Sequence, residues 1–341
     1  MQHATGPSPR VPAAADVAAA ADRIAPLVRR TPIVTSSLLN RWLGHEFYFK
    51  AECLQQVGAF KARGASNAVA RLCEGGPRPR RIVANSSGNH AQAVAWAAQR
   101  FGLPARIYMP AQVSPIKAAA TREYGAEVVL CPDRAAVDAA VAEAAAEPGV
   151  VWIHPFNHPD VIAGQGTAAW EAIAELGAID AVCVPCGGGG LLAGTSLAAR
   201  QLSPACQVIG GEPLVANDAA RSRRSGRIEQ LQATPDTLAD GAMTLSVGDL
   251  TFGFIRQADH FYEVEEERIA YWFQWLTHLL KLRIEPTSAL AMAAAVSWLA
   301  EAEAKADAPR RVLVILSGGN VASDAMRRLY ARDYTAQRPG R

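Results

Sequence analysis

The sequence predicts an α/β protein built on open parallel sheets with helices on both faces. Three observations predict it. Short apolar runs alternate with Ala-rich helical segments along most of the 341 residues. The run Ala181-Val182-Cys183-Val184-Pro185-Cys186 passes through Gly187, Gly188, Gly189 and Gly190 into an apolar stretch from Leu191 to Leu202, the order of buried strand, tight loop and helix. Several apolar runs end in small polar residues, at the carboxyl strand edge where open parallel sheets bind ligands.

Composition narrows the class. Half the chain is apolar and the formal net charge is +2, so neither a nucleic-acid footprint nor an acidic tail is visible. No apolar run approaches the ~20 residues that cross a bilayer, and the first ten residues lack an apolar secretory core. Six scattered cysteines in a chain of this size point to reduced thiols and a cytoplasmic protein. Cys183 and Cys186 have the spacing of a redox pair. On one strand, however, their side chains face opposite ways, so they are expected as small buried hydrophobes. The cluster Arg221-Ser222-Arg223-Arg224 with Arg227 has no interleaved aromatics and reads as a solvated loop.

Residues 1–12 read as disordered. A helix is expected over residues 13–29, ended by Thr31-Pro32, and a strand at Phe47-Tyr48-Phe49. Lys61 follows within Val57-Gly58-Ala59-Phe60-Lys61-Ala62-Arg63-Gly64-Ala65, ahead of a helix to Cys73. It is either a surface lysine opening that helix or a confined amine whose pKa is lowered, competent toward a carbonyl. Strand 82–84 runs into Asn85-Ser86-Ser87-Gly88-Asn89-His90 and a helix over 91–101. Capping alone needs one such polar residue, and a helix N-terminus suits a carboxylate.

Two more strand–helix units span 105–124 and 126–146, and a strand at 150–154 leads into His154-Pro155-Phe156-Asn157-His158-Pro159-Asp160. The prolines rule out a helical pair of histidine ligands, so a structured loop is expected. Gly164-Gln165-Gly166-Thr167 opens a helix to Leu176. The four glycines then form a phosphate cup, their N–H groups and the following helix terminus converging on one anion. The cup does not name its ligand. Gly188-x-Gly190-x-x-Ala193, with Glu212 about 20 residues on, also fits a loose dinucleotide fingerprint.

After the cup come a strand over 207–211 ending at Glu212, an irregular stretch 234–249 and a strand over 262–264. An aromatic-rich helix over 265–280 is expected inside the fold or against a partner subunit. Glu285-Pro286-Thr287-Ser288 caps a helix over 289–303. The last strand, 311–316, ends in Ser317-Gly318-Gly319-Asn320. Glu212 and Asp218 flank a loop whose carbonyls suit Mg²⁺ or Ca²⁺; a solvated acidic loop fits the spacing equally.

A lysine beside a phosphate cup, without an N-terminal dinucleotide unit, suits pyridoxal phosphate, with a Schiff base at Lys61. Gly58 to Ala65, Ser86 to His90, Val161 to Thr167, Gly187 to Gly190, Ile284 to Thr287 and Leu316 to Asn320 resemble the fold-type II pyridoxal-phosphate enzymes of the threonine/serine dehydratase and serine racemase family, in family order and over nearly the whole chain. The sequence departs from the family at Ala59, where serine is usual. Racemases of the group carry an asparagine near Phe156; Pro155-Phe156 looks more like the dehydratases.

The resemblance implies a tryptophan synthase beta-like fold of two lobes. Residues 1–79 and 159–341 would form the large cofactor-binding domain, residues 80–158 a small mobile domain, and the protein a homodimer. It implies Lys61 as the Schiff-base lysine and Asn89 on the ring 3′-oxygen. Gly187, Gly188, Gly189, Gly190 and the Leu191 N–H would hold the phosphate, with Ser317 at the pyridine nitrogen. Ser86, Ser87 and Asn89 would receive the substrate carboxylate, Ser87 facing Lys61 across the ring, and Glu212, Ala216 and Asp218 would hold a divalent cation. A neutral serine at the ring nitrogen would not keep it permanently protonated. The short stretch after Ser317 leads us to expect no amino-acid-sensing domain and no feedback control by isoleucine.

The expected reaction is β-elimination from a small amino-acid substrate such as L-threonine or L-serine, giving a 2-oxo acid and ammonia. Alternatives are serine racemisation and dehydration of 3-hydroxyaspartate, a phenylserine or a hydroxyectoine-pathway amino acid. More distant readings are a non-catalytic ligand-binding protein and a nicotinamide-dependent oxidoreductase.

Overall fold

The computed structural model describes residues 10–86, 88–302 and 308–339; the expected disordered tail falls mostly on residues 1–9, outside them. In chain order the elements are α1 (Ala14–Ile24), β1 (Ile33–Val34), α2 (Ser37–Leu43), β2 (Glu46–Ala51), α3 (Lys61–Leu72), β3 (Arg81–Asn85), α4 (Asn89–Arg100), β4 (Ala105–Pro110), α5 (Pro115–Glu123), β5 (Glu127–Cys131), α6 (Arg134–Ala145), β6 (Val150–Trp152) and α7 (Pro159–Leu176). The second half continues with β7 (Ala181–Pro185), α8 (Gly190–Leu202), β8 (Gln207–Pro213), α9 (Asp218–Ser225), α10 (Asp249–Gln257), β9 (His260–Val264), α11 (Glu266–Leu280), α12 (Thr287–Ala302), β10 (Arg311–Leu316) and α13 (Ser323–Leu329).

Two sheets result, ordered β1-β2-β10-β7-β8-β9 and β5-β4-β3-β6. Every pairing is parallel except the two-residue edge strand β1, which runs antiparallel to β2. β10 shows why the central strands read as unbroken apolar runs: both its faces are covered. Val312, Val314 and Leu316 enter the core under α11 and α12, while Leu313 and Ile315 enter the one under α7 and α8. Cys183 and Cys186 divide the same way between the two cores, and all six cysteines are free.

Strand order reverses between β10 and β7 in the large sheet and between β3 and β6 in the small one. Ligand crevices open at such points. The loops after these four strands carry Ser317, the glycine cup, Ser86–Asn89 and His154–Pro159.

Several expectations change. α1 stops at Ile24 rather than near Arg29, because Pro26 has no N–H to continue the ladder. α7 begins at Pro159, where a missing N–H costs nothing, and His158 caps it by accepting from Asp160 N. Arg221, Arg223 and Arg224 of the basic cluster are not in a loop but on α9, while Arg227 follows its end. Arg223 donates to the carbonyls of Ile255 (3.0 Å) and Ala258 (2.6 Å), which holds α9 to the end of α10. The aromatic helix α11 packs into the core of the chain, with Trp272, Phe273, Trp275 and Leu276 buried. Among the described residues no helix is long and apolar enough to cross a membrane.

Candidate active site

Lys61 opens α3, reached through a turn in which Val57 (φ 53°) and Gly58 (φ 72°) are both left-handed. A Cβ on Gly58 would lie 2.9 Å from Asn320 Oδ1, so the turn needs glycine for conformation and for space. Ala59 bridges Gly318, and Phe60 N donates to Ser317 O at 3.0 Å, which ties the lysine to the end of β10. Lys61 Nζ donates to Pro155 O at 2.8 Å and lies 5.0 Å from the Phe60 ring centre. Among the described residues no carboxylate pairs with it, and burial pushes the amine down to about 8, against a smaller upward pull from Glu285.

Across the crevice the end of β10 and the start of α4 meet on Glu285. This carboxyl is buried; its Oε1 accepts from Ser317 Oγ at 2.7 Å and its Oε2 from Asn89 Nδ2 at 2.8 Å. Burial pushes it up to about 7, with the charge of Asp240 adding to the rise and the two hydrogen bonds opposing it. Asn89 also accepts from Asn320 Nδ2 at 2.9 Å, leaving one amide N–H uncommitted. Ser86 Oγ accepts from Gly88 N at 3.2 Å, a local turn rather than a helix cap. Ser87 lies outside the described residues.

The glycine loop is shaped by close neighbours. Gly189 is left-handed (φ 86°), and a Cβ on Gly188 would lie 2.2 Å from the Phe156 ring. Thr251 Oγ1 pins the loop by donating to Gly188 O at 2.7 Å. Gly190, Leu191 and Leu192 form the first turn of α8, where N–H groups have no carbonyl within the helix to bond. The Thr244 hydroxyl is buried without a partner among the described residues and stands 3.7 Å from where a Gly187 Cβ would be. Pro155 and Phe156 connect the two halves, one receiving the Lys61 amine and the other lying on the cup. Orphaned N–H groups and an orphaned hydroxyl beside an unpaired amine fit a group bearing both a phosphate and an aldehyde.

Glu212 ends β8 and Asp218 opens α9, close enough for their charges to interact, with Ala216 in the turn between them. Both Glu212 oxygens accept from α9, from Ala220 N at 2.6 Å and Ala219 N at 3.2 Å. Asp218 Oδ2 is buried without a partner among the described residues. Burial raises Glu212 well above the ordinary carboxylate range, with Asp218 adding to it, and burial pushes Asp218 up to about 7. His154 and His158 spend their Nδ1 atoms on backbone N–H groups of their own loop, as a structured loop requires.

The family model for pyridoxal-phosphate dependent enzymes matches residues 24–318. The chain belongs to that family. It is similar to an L-threo-3-hydroxyaspartate ammonia-lyase of Saccharomyces cerevisiae, 45% identical over 91% of this chain and 94% of that one. A serine racemase of Schizosaccharomyces pombe is 41% identical over 90% and 93%. A crystal structure of the T.th. threonine deaminase superposes with a TM-score of 0.84 at 44% identity, covering 91% of this chain and 99% of that one. The fold is therefore fold type II, the cofactor of this pyridoxal-phosphate dependent enzyme is pyridoxal phosphate, and its relatives are ammonia-lyases and racemases.

Sequence reasoning missed Glu285 as a site residue. Glu285-Pro286-Thr287-Ser288 read as a helix cap, and the apolar Ile284 before it was the one sign of burial. Asn320 stood in the polar end of β10 but was given no role, and Thr244 carried no local signal. Their neighbours come from segments far away in the chain.

Proposed function

We propose that the protein is an ammonia-lyase that converts a β-hydroxy amino acid to a 2-oxo acid and ammonia. The observation that carries this is Lys61, an amine pushed down to about 8 with a carbonyl but no carboxylate beside it. Bound at this site, pyridoxal phosphate supplies an aldehyde for that amine and a ring that accepts electrons. The rest is the work of the chain. Lys61 takes the Cα proton from the substrate. The α4 N-terminus, with Ser86, Ser87 and Asn89, receives the substrate carboxylate. Gly187 to Gly190 and Leu191 would hold the phosphate, Asn89 would face the 3′-oxygen with its one uncommitted N–H, and Ser317 would face the ring nitrogen.

For the substrate we place 3-hydroxyaspartate ahead of threonine and serine. Arg134, at the start of α6, donates to Met243 O at 3.1 Å, and Lys117 of α5 reaches Asp240 at 3.1 Å. The loop they touch walls the cup, since a Gly187 Cβ would lie 3.1 Å from Gly241 O. Lys117 is already paired with Asp240, but Arg134, among the described residues, meets only a carbonyl and suits a second carboxylate, and the yeast relative is named for that substrate. Racemisation is the second reading, favoured by the fission-yeast relative and by Ser87 in the sequence.

We also propose that residues 80–158 move as a small lobe against 1–79 and 159–341, closing to exclude water. In support, β3 to β6 form their own sheet, though α3 and Val161 of α7 share its core. A homodimer is proposed on family grounds. Mg²⁺ or Ca²⁺ at Glu212, Ala216 O and Asp218 would supply the partner that Asp218 Oδ2 lacks.

The test is a panel of L-threo-3-hydroxyaspartate, L-threonine and L-serine, following 2-oxo acid release and the chirality of what remains. Release of 2-oxo acid, fastest from hydroxyaspartate, is expected. Faster turnover of threonine or serine would overturn the substrate order. Inversion of serine without 2-oxo acid would overturn elimination.

A further inference from the structure

Glu285 is 2% exposed and, among the described residues, has no cation in hydrogen-bond contact. Gly318 makes room for it, since a Cβ there would lie 2.7 Å from Glu285 Oε2. One carboxyl thus joins Ser317 and Asn89, the side chains proposed to face the ring nitrogen and the 3′-oxygen. We infer that Glu285 is a positioning residue that decides, through Ser317, whether the pyridine nitrogen carries a proton. This role deepens the proposed function and rests on that placement of the ring.

A serine hydroxyl has one proton to give and two lone pairs. While Glu285 is a carboxylate, the Ser317 proton goes to Oε1 at 2.7 Å. Ser317 then offers the ring a lone pair, which bonds a protonated nitrogen. When Glu285 is a carboxylic acid it donates to Ser317 Oγ, and the Ser317 proton turns to a bare nitrogen. The two arrangements hold the same number of protons. The nitrogen's proton passes to Ser317 as Ser317's own passes to Glu285, and nothing is gained or lost. A lone neutral serine would leave the nitrogen unprotonated, as the sequence led us to expect; a serine backed by a carboxylate need not.

The neighbours keep both arrangements in play. Lys61 from α3 and Lys117 from α5 favour the charged carboxyl, and Asp240 from the loop after residue 239 disfavours it. Cys53, which also feels Glu285, is held neutral with its thiol pushed up to about 11 by burial. Ser288 Oγ, 3.2 Å from Ser317 Oγ, adds no charge. The result is a carboxyl near 7.

The hydrogen-bond chain also fixes how a substitute must sit. Asn320 Nδ2 donates to Val57 O at 2.8 Å and to Asn89 Oδ1, so Asn89 must turn its own N–H₂ toward residue 285. In Glu285→Gln the amide oxygen therefore takes Asn89, and the amide N–H₂ takes Ser317. Ser317 is left as a donor to a bare nitrogen.

The experiment loads the enzyme with pyridoxal phosphate labelled with ¹⁵N in the ring and reads the nitrogen by NMR near neutral pH. In wild type the resonance should lie between the protonated and unprotonated ranges, and in Glu285→Gln it should shift to the unprotonated one. Glu285→Asp, which keeps the charge, should stay nearer wild type and serves if the glutamine variant fails to fold. In a Ser317→Ala background, Glu285→Gln should cause no shift, because the connecting hydroxyl is gone. An identical resonance in wild type and Glu285→Gln, or an undiminished shift without Ser317, overturns the inference. If wild type takes up no cofactor and borohydride traps no adduct at Lys61, the proposed function falls first, and the inference with it.

Discussion

Lys61 and Arg63 stand two residues apart on α3, and burial lowers the pKa of both, yet their net shifts run in opposite directions. Lys61 has a carbonyl and an aromatic ring beside it, so lost hydration wins and the amine drops to about 8. Arg63 has no exposed surface, yet its pKa rises because two carboxylates grip it. Glu52 takes Nε at 2.7 Å and Nη2 at 2.9 Å, and Glu171 takes Nη1 at 2.7 Å and Nη2 at 2.9 Å. Lys50 joins the cluster through Glu171 and the Thr31 carbonyl, both at 2.7 Å. A two-residue step puts the two cations on opposite sides of the helix. One side faces the crevice, and the other clamps α3 to β2 and α7. Burial lowers both cations, and the carboxylate grip on Arg63 outweighs it while nothing comparable does so at Lys61.

Exchanging either residue tests that division. Lys61→Ala should lower turnover by roughly 10³-fold or more, while urea unfolding shows stability held or raised because a poorly solvated amine is gone. Full activity in this variant would break the comparison at its root. Arg63→Met should do the reverse, destabilising the fold by about 3–5 kcal/mol as Glu52 and Glu171 face each other without their cation. Arg63→Lys should recover little of this, since an ammonium cannot serve two carboxylates in two-pronged pairs. An Arg63→Met protein with a wild-type urea midpoint would show that the clamp holds nothing.

A pH series sharpens the same contrast. In the cofactor-free protein Lys61 loses its proton near 8, whereas the unfolded chain keeps it up to the ordinary lysine value. The unfolded state therefore binds more protons above about 8, and the Lys61 contribution to stability rises with pH from there to the lysine value. Lys61→Met should flatten that slope in urea unfolding of the cofactor-free protein. An unchanged slope would mean that the amine is not desolvated in the folded chain.

What could be read beforehand divides along similar lines. Elements set by local pattern were legible. β7 and β10 are apolar runs, α8 follows glycines, and Lys61 sits among small residues next to Phe60. The glycine cup and the polar ends of β3 and β10 were visible because each is a contiguous stretch. The Arg63 clamp was not, since its members at 52, 63 and 171 meet only when the turn after β2 packs with α3 and α7. Glu285 was hidden for the same reason, its partners lying at 89 and 317. α9 was lost because its charged residues read as solvated, although Arg223 spends its charge on backbone carbonyls. α1 was overrun because Pro26 was passed over for the proline at 32.

The smallest change in stability is expected at the rim. Lys117 and Asp240 are both partly exposed at 3.1 Å, so Lys117→Met should cost only ~0–1 kcal/mol. Its effect on charge reaches further. Asp240 pushes Glu285 up and Lys117 pulls it down, so the variant leaves Asp240 unopposed and Glu285 rises above its value of about 7. Glu285 is an acid whose folded pKa lies above its unfolded one. Its contribution is full below the unfolded value and is lost as pH rises through the folded value. In wild type that loss should be complete just above about 7; in Lys117→Met it should continue to higher pH. Urea unfolding of both proteins from about pH 5 to about pH 9 reads the difference. Asp240→Asn should move the window the other way. Superimposable pH slopes for all three proteins would show that Glu285 does not feel the rim, and that its charge is set within the Asn89 and Ser317 contacts alone.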